Sequence, residues 1–189
     1  MNYKPNITMQ SSSTIRPVAA ADCKAITDIY NHYITRTVIS FETRTLTADE
    51  MAERIRTISS GHPYLVSVSP DGEIEGYCYA HPWKERAAYA GTLESTVYLH
   101  PDRTGTGTGA RLMEALIDEC RARGVDNLIA CITYGNHASC RMHERLGFKK
   151  VSHFHRVGHK FGLTLDVVDY QLSLTQPAHG TSDARQNEN

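Results

Sequence analysis

Two stretches decide the reading of this chain: 94-ESTVYLHPDRTGTGTGARLMEALI-117 and, a little further on, 136-NHASCRMHERLGF-148. Residues 94–99 have the β-branched and aromatic content of a strand, with one acid, Glu94, at its start. Gly105, Thr106, Gly107, Thr108 and Gly109 then lead through Ala110 into a helix-patterned run. Glycines at a strand-to-helix turn let backbone N–H groups come close to an anion, and the helix N-terminus adds a favourable dipole. Asn136, Ser139 and His143 follow on a second turn-to-helix segment, which makes the expected anion site part of a larger group.

Working outward, residues 110–123 predict an amphipathic helix carrying Leu112, Ala115, Leu116 and Cys120 on successive turns and ending at Gly124. Residues 128–133 predict an apolar strand, 137–146 a helix stopped by Gly147, and 151–157 and 163–174 two late strands. Upstream, 14–18 alternates like a short strand. Asp22 is placed to cap a helix that carries Ile26, Ile29, Tyr30 and Tyr33. Thr47 and Glu50 form a capping box ahead of Met51, Ile55 and Ile58. Residues 64–68 and 74–80 read as a hairpin around Pro70-Asp71-Gly72. The order β-α-α-β-β-β-α-β-α-β-β predicts a mixed α/β domain over residues 13–175, with one central sheet of about seven strands and about four helices. Polar flexible tails are expected at 1–12 and 176–189.

Bulk properties narrow the classes. A length of 189 residues suits one domain with a sizeable core. The net charge of −1 offers no basic excess for nucleic acid or anionic lipid, so neither is expected as a partner. Five cysteines, odd in number and without a CxxC pair, favour reduced thiols and a cytoplasmic setting. The first residues lack the apolar run of a signal peptide, and no apolar run approaches membrane-spanning length.

The glycine loop admits competing readings. A nucleoside-triphosphatase loop ends in Gly-Lys-Ser/Thr, which is absent here. Gly105-x-Gly107-x-x-Ala110 satisfies a dinucleotide fingerprint, but the following acid, Asp126, precedes strand 128–133 instead of ending it. A plain flexible turn is the third alternative. A metal reading arises from His153 and His155, which strand alternation puts on one face; no third ligand is spaced to join them, and no metal is assigned.

The remaining motifs carry a family resemblance over residues 15–174. A strand, a glycine loop opening a helix, an Asn-bearing turn and a helix ending in Leu-Gly-Phe resemble the GCN5-related N-acetyltransferases (GNAT). The segments YNHYI (30–34), SFE (40–42), HPWKERAAY (81–89), ESTVYLHPD (94–102) and VGHKFG (157–162) resemble the phosphinothricin and methionine sulfone/sulfoximine acetyltransferase branch.

That resemblance implies a sheet with a splayed parallel pair and acetyl-CoA bound in the opening. Val97, Tyr98 and Leu99 would bond the pantetheine through their backbone, and residues 105–110 (Gly105, Thr106, Gly107, Thr108, Gly109, Ala110) would wrap the pyrophosphate. Asn136 would contact the cofactor arm, assisted by Ser139. The family usually carries Arg or Gln where this chain has Thr104. Glu94 would act as general base on the substrate ammonium, and His143 as general acid toward the departing thiolate. Phe41, Lys84, Glu85 and Arg86 would contact the acceptor with Glu94, a cation there holding an α-carboxylate. Leu163-Thr164 stand where relatives often have Arg-Trp, so an acceptor wall is expected to differ. The activity implied is direct acetyl transfer to the primary amine of a small amino acid analogue, by an enzyme expected from its family to be a homodimer. The alternatives are a non-catalytic acyl-CoA sensor, or an acetyltransferase for a peptide or other amine. A polyamine acceptor would call for an acidic pocket, against which Lys84 and Arg86 speak.

Overall fold

The computed structural model describes residues 13–175; the tails expected at 1–12 and 176–189 lie outside the described residues. The elements are β1 (Thr14–Pro17), α1 (Cys23–Arg36), α2 (Ala48–Ser59), β2 (Tyr64–Val68), β3 (Ile74–Pro82), β4 (Thr92–Leu99), α3 (Thr108–Ala122), β5 (Asn127–Thr133), α4 (His137–Arg145), β6 (Lys149–Lys150), β7 (Phe154–Lys160) and β8 (Leu163–Ser173). They build one sheet in the order β1-β2-β3-β4-β5-β8-β6, with β7 also paired to β8. The eighth strand beyond the expected seven is the two-residue β6.

Side-chain alternation divides the core in two. Leu65 of β2 and Cys78 of β3 face the helix α3, where Leu112 and Leu116 are fully buried, and α4 packs on the same side through Cys140 and Met142. Val66 and Tyr77, one residue along each strand, face Ile26 and Ile34 of α1 and Met51 of α2 on the other side. Fully burying each such side chain contributes about 1.5–3 kcal/mol, so the sheet is held between two apolar layers.

The sheet pairs antiparallel except at its centre, where β4 and β5 run parallel over only Thr92↔Asn127, Leu93↔Leu128 and Glu94↔Ile129. The Ser95 hydroxyl donates to the Ile129 carbonyl at 3.2 Å, just past the last rung. Beyond it β4 stays on β3 as far as Gly76↔Leu99, and β5 stays on β8 as far as Thr133↔Val167. Each strand is committed to its outer neighbour, so the pair parts like a V toward their C-terminal ends.

The Thr47–Glu50 capping box is present: the Thr47 hydroxyl accepts from the Glu50 amide at 3.2 Å and the Glu50 carboxylate accepts from the Thr47 amide at 2.8 Å. Three local expectations change. Asp22 occupies the N-cap of α1 without capping it by its side chain; its carboxylate instead takes both Arg16 nitrogens (2.7 and 2.8 Å) and the Ala19 amide (2.8 Å). The helix expected from 110 begins at Thr108, so two loop residues join its first turn. The strand expected at 151–157 lies at Phe154–Lys160, with its register to β8 broken between Phe154 and Gly158, where Arg156 is left-handed at φ 58°.

Candidate active site

The V between β4 and β5 opens into a cavity of about 890 Å³. Glu94, Thr96, Val97 and Tyr98 line it from β4; Cys131 and Thr133 line it from β5; Asn136, Ser139 and His143 line it from α4 and its cap. The structure therefore brings together the proposed base, most of the cofactor-strand residues and the α4 group, which are spread along the sequence.

Glu94 sits on the last rung of the parallel ladder, half-buried, with its carboxylate in the cavity. Burial raises its pKa above the ordinary carboxylate value. The His81 ring, on the residue paired with Glu94 across β3–β4, opposes that rise, and the Asp169 carboxylate on β8 adds to it. Asp169 pairs with Cys131 of β5, so Glu94 faces one cationic-capable and one anionic neighbour from strands on either side.

The glycine loop follows β4 through a short turn at Pro101–Arg103. Gly105 (φ 75°) and Gly107 (φ 86°, the N-cap of α3) are left-handed, and a Cβ at either would meet nothing within 4 Å. A left-handed turn with open space above it, beside the first-turn amides of Thr108, Gly109 and Ala110 that have no intrahelical acceptor, fits a diphosphate. The Thr106 hydroxyl donates to the Arg103 carbonyl (2.8 Å) and lies 3.0 Å from that of Thr108; the Thr104 hydroxyl donates to the Pro101 carbonyl (3.1 Å). The loop is thus braced internally by threonines. Gly109 is buried, and a Cβ there would lie 3.2 Å from Met142 Sδ and 3.4 Å from Leu99 Cδ1, so this glycine lets α3 seat against β4 and α4. Leu99 and the loop lie beyond the cavity lining, at the end of β4; the Leu99 carbonyl already accepts the Tyr33 hydroxyl at 2.9 Å.

On α4, the Asn136 side-chain oxygen accepts the Ser139 amide at 3.2 Å and caps the helix. His143 is buried and packs edge-on against Phe148 with ring centroids 5.0 Å apart. Its Nδ1 lies 2.9 Å from the Ser139 carbonyl and 3.3 Å from the Ser139 hydroxyl. A carbonyl can only accept, so the neutral ring carries its proton on Nδ1 and presents a lone pair at Nε2. Burial lowers the His143 pKa, working against the imidazolium.

The side of the cavity expected to take the acceptor is roofed by the segment between α1 and α2. Thr133 Oγ1 donates to the Val38 carbonyl (3.0 Å), Lys160 Nζ to the Ser40 carbonyl (2.5 Å), and Tyr30 Oη to Glu42 Oε1 (3.0 Å). Phe41 lines the cavity, its ring resting on Gly158 of β7, where a Cβ would come within 2.2 Å of Phe41 Cε2. Lys84, Glu85 and Arg86 are placed elsewhere: they form an exposed turn after β3, outside the cavity lining, with Lys84 Nζ 4.1 Å over the Trp83 ring. Proximity to Glu94 along the chain does not carry them into the cavity. Sequence reading missed the polar residues that do line it: Arg54, paired with Glu42 at 2.8 Å, and His62 and His81. They come from α2, the α2–β2 turn and β3; His81 heads the segment HPWKERAAY, and no local motif marks Arg54 or His62.

Residues 15–168 match the model of an acetyltransferase (GNAT) domain. The chain is 37% identical over 163 residues to a phosphinothricin N-acetyltransferase of Streptomyces coelicolor, covering 85% of this chain and 95% of that one. It is 38% identical over 172 residues to an L-methionine sulfoximine/L-methionine sulfone acetyltransferase of Salmonella typhimurium, covering 90% and 99%. The structure of the acetyltransferase yncA from Salmonella typhimurium, solved with its cofactor acetyl-CoA, superposes with a TM-score of 0.85 at 38% identity, covering 93% of this chain and all of that one. With the forked parallel pair, the open glycine turn at the start of α3 and matches that span nearly the whole described chain, the protein belongs to the GNAT acetyltransferase family.

Proposed function

We propose that the protein transfers the acetyl group of acetyl-CoA directly to the primary amine of a small amino acid analogue of the phosphinothricin or methionine sulfoximine type. The observation that carries this reading is the cavity at the β4–β5 fork, which puts a half-buried carboxylate, Glu94, beside the strand and helix residues expected to hold the thioester. The names of the two relatives support the acceptor class.

In this account the diphosphate sits on the amides of residues 105–110, and Val97, Tyr98 and Leu99 receive the pantetheine in the gap that β5 vacates, near Asn136 and Ser139. Glu94 takes a proton from the substrate ammonium, directly or through water; its raised pKa brings it closer to the amine than an exposed glutamate would be. The freed amine attacks the thioester carbonyl, whose developing oxyanion takes a backbone N–H of β4. His143 donates to the departing thiolate only as imidazolium, because its Nδ1 proton is committed to Ser139. Phe41 walls the acceptor end, and Arg54 or a histidine of the cavity replaces Lys84, Glu85 and Arg86 as the partner for the acceptor's acidic group.

The enzyme is proposed to be a cytoplasmic homodimer without nucleic-acid or membrane partners. No helix among the described residues is long and apolar enough to cross a membrane. The exposed apolar side chains Phe154, Val157, Phe161 and Leu163 on the β7–β8 hairpin support a subunit contact. The test is to incubate the protein with acetyl-CoA and a panel of amino acid analogues, a peptide and a polyamine while following free thiol. Thiol release with phosphinothricin or methionine sulfoximine above the other amines is expected; no amine-dependent release would overturn the reading.

A further inference from the structure

The pair His153 and His155 lacked a third ligand in the sequence, and the fold supplies one from β8. Asp166 Oδ2 lies 3.0 Å from His153 Nε2 and 2.9 Å from His155 Nδ1. The two rings lie with centroids 4.1 Å apart and planes tilted by 35°, and one ligand atom from each of the three residues falls within 4.8 Å of the others. The arrangement is built by the backbone. Arg156, left-handed at the β7 irregularity, turns its amide onto Asp166 Oδ1 at 2.8 Å, which fixes the carboxylate and leaves Oδ2 to the imidazoles. Among the described residues the ion-pair partners of Asp166 are the two histidines alone. The site is reachable from solvent, since the His155 side chain is 70% exposed and the other two are 25% exposed.

We propose that His153, His155 and Asp166 bind a divalent late transition-metal ion such as Zn²⁺ or Ni²⁺, with water completing its coordination. Two imidazoles and one carboxylate are a donor set for these ions, and a poor one for Mg²⁺ or Ca²⁺, which take all-oxygen shells. The oxygen–nitrogen separations of 2.9 and 3.0 Å need only widen slightly toward the ~3.4 Å edge of a tetrahedron with bonds of ~2.1 Å. Binding requires both rings to change tautomer, His153 moving its proton from Nε2 to Nδ1 and His155 from Nδ1 to Nε2. Lys150 Nζ, 3.5 Å from His153 Nδ1, must swing aside, as an exposed side chain can. The ion is assigned no part in acetyl transfer, and the proposal does not depend on which amine is acetylated.

The experiment is calorimetric titration of chelator-treated, tag-free full-length protein with Zn²⁺, Ni²⁺ and Mg²⁺, repeated on His153→Asn and His155→Asn. His155 is exposed and anchors no backbone, so its variant keeps the hairpin; thermal melts of each variant confirm folding. The expected result is saturable uptake of one Zn²⁺ or Ni²⁺ per chain, weakened at least about tenfold in each variant, with no comparable Mg²⁺ uptake. The melting temperature should rise with Zn²⁺ in the unmodified protein and not in the variants. Absence of saturable Zn²⁺ and Ni²⁺ binding, or equal affinity in the unmodified and His155→Asn proteins, would overturn the proposal.

Discussion

Glu94 is the residue on which the proposed chemistry turns, and its environment is made by strands far from it in sequence. Burial and the Asp169 carboxylate raise its pKa, while His81 works the other way. A general base must be ionised to accept a proton, so kcat/KM should rise with pH through a limb above the usual carboxylate range. Asp169→Asn removes a like-charged neighbour and should move that limb to lower pH with little change in the plateau. A pH profile that stays in place would show that Asp169 does not reach Glu94. Glu94 itself was legible in the sequence as an acid at the head of a strand before a glycine loop. Asp169 and His81 were not, because only strand register brings them to its sides. His143 was legible as a position, whereas the commitment of its Nδ1 to the Ser139 carbonyl appears only in the folded helix.

At the scale of elements, the parts written in local chemistry could be read directly. The Thr47–Glu50 box starts α2 because one side chain and one amide satisfy each other three residues apart, and the hairpin of β2 and β3 follows from alternation around Pro70-Asp71-Gly72. The parts that failed depend on distant partners. Asp22 prefers the Arg16 guanidinium to the helix amides, and the register of β7 breaks where Asp166 of β8 takes the Arg156 amide. The roof over the proposed acceptor end is likewise assembled from separate elements, with Phe41 seated on Gly158. Gly158→Ala should push the Phe41 ring aside, raising KM for the amine several-fold while leaving acetyl-CoA affinity unchanged. The overpacking should cost about 1 kcal/mol, since the ring is at the surface and can yield. Steady-state kinetics and denaturant unfolding measure both; an unaltered amine KM would remove Phe41 from the acceptor wall.

For the molecule as a whole, function follows from a conflict of pairing. β4 is bound along its length to β3 and β5 to β8, so their shared ladder ends at Glu94↔Ile129 and the sheet forks between two apolar layers. The fork places the Glu94 carboxylate at its apex and, further along β4, the open glycine turn of α3. Separating these two roles is the most direct test. In Glu94→Gln, thiol release from acetyl-CoA with the preferred amine would be measured beside calorimetric binding of acetyl-CoA. Turnover should fall about 10²–10⁴-fold while cofactor affinity stays within about twofold, because the amides proposed to hold the diphosphate are untouched. Turnover close to that of the unmodified protein would contradict the account.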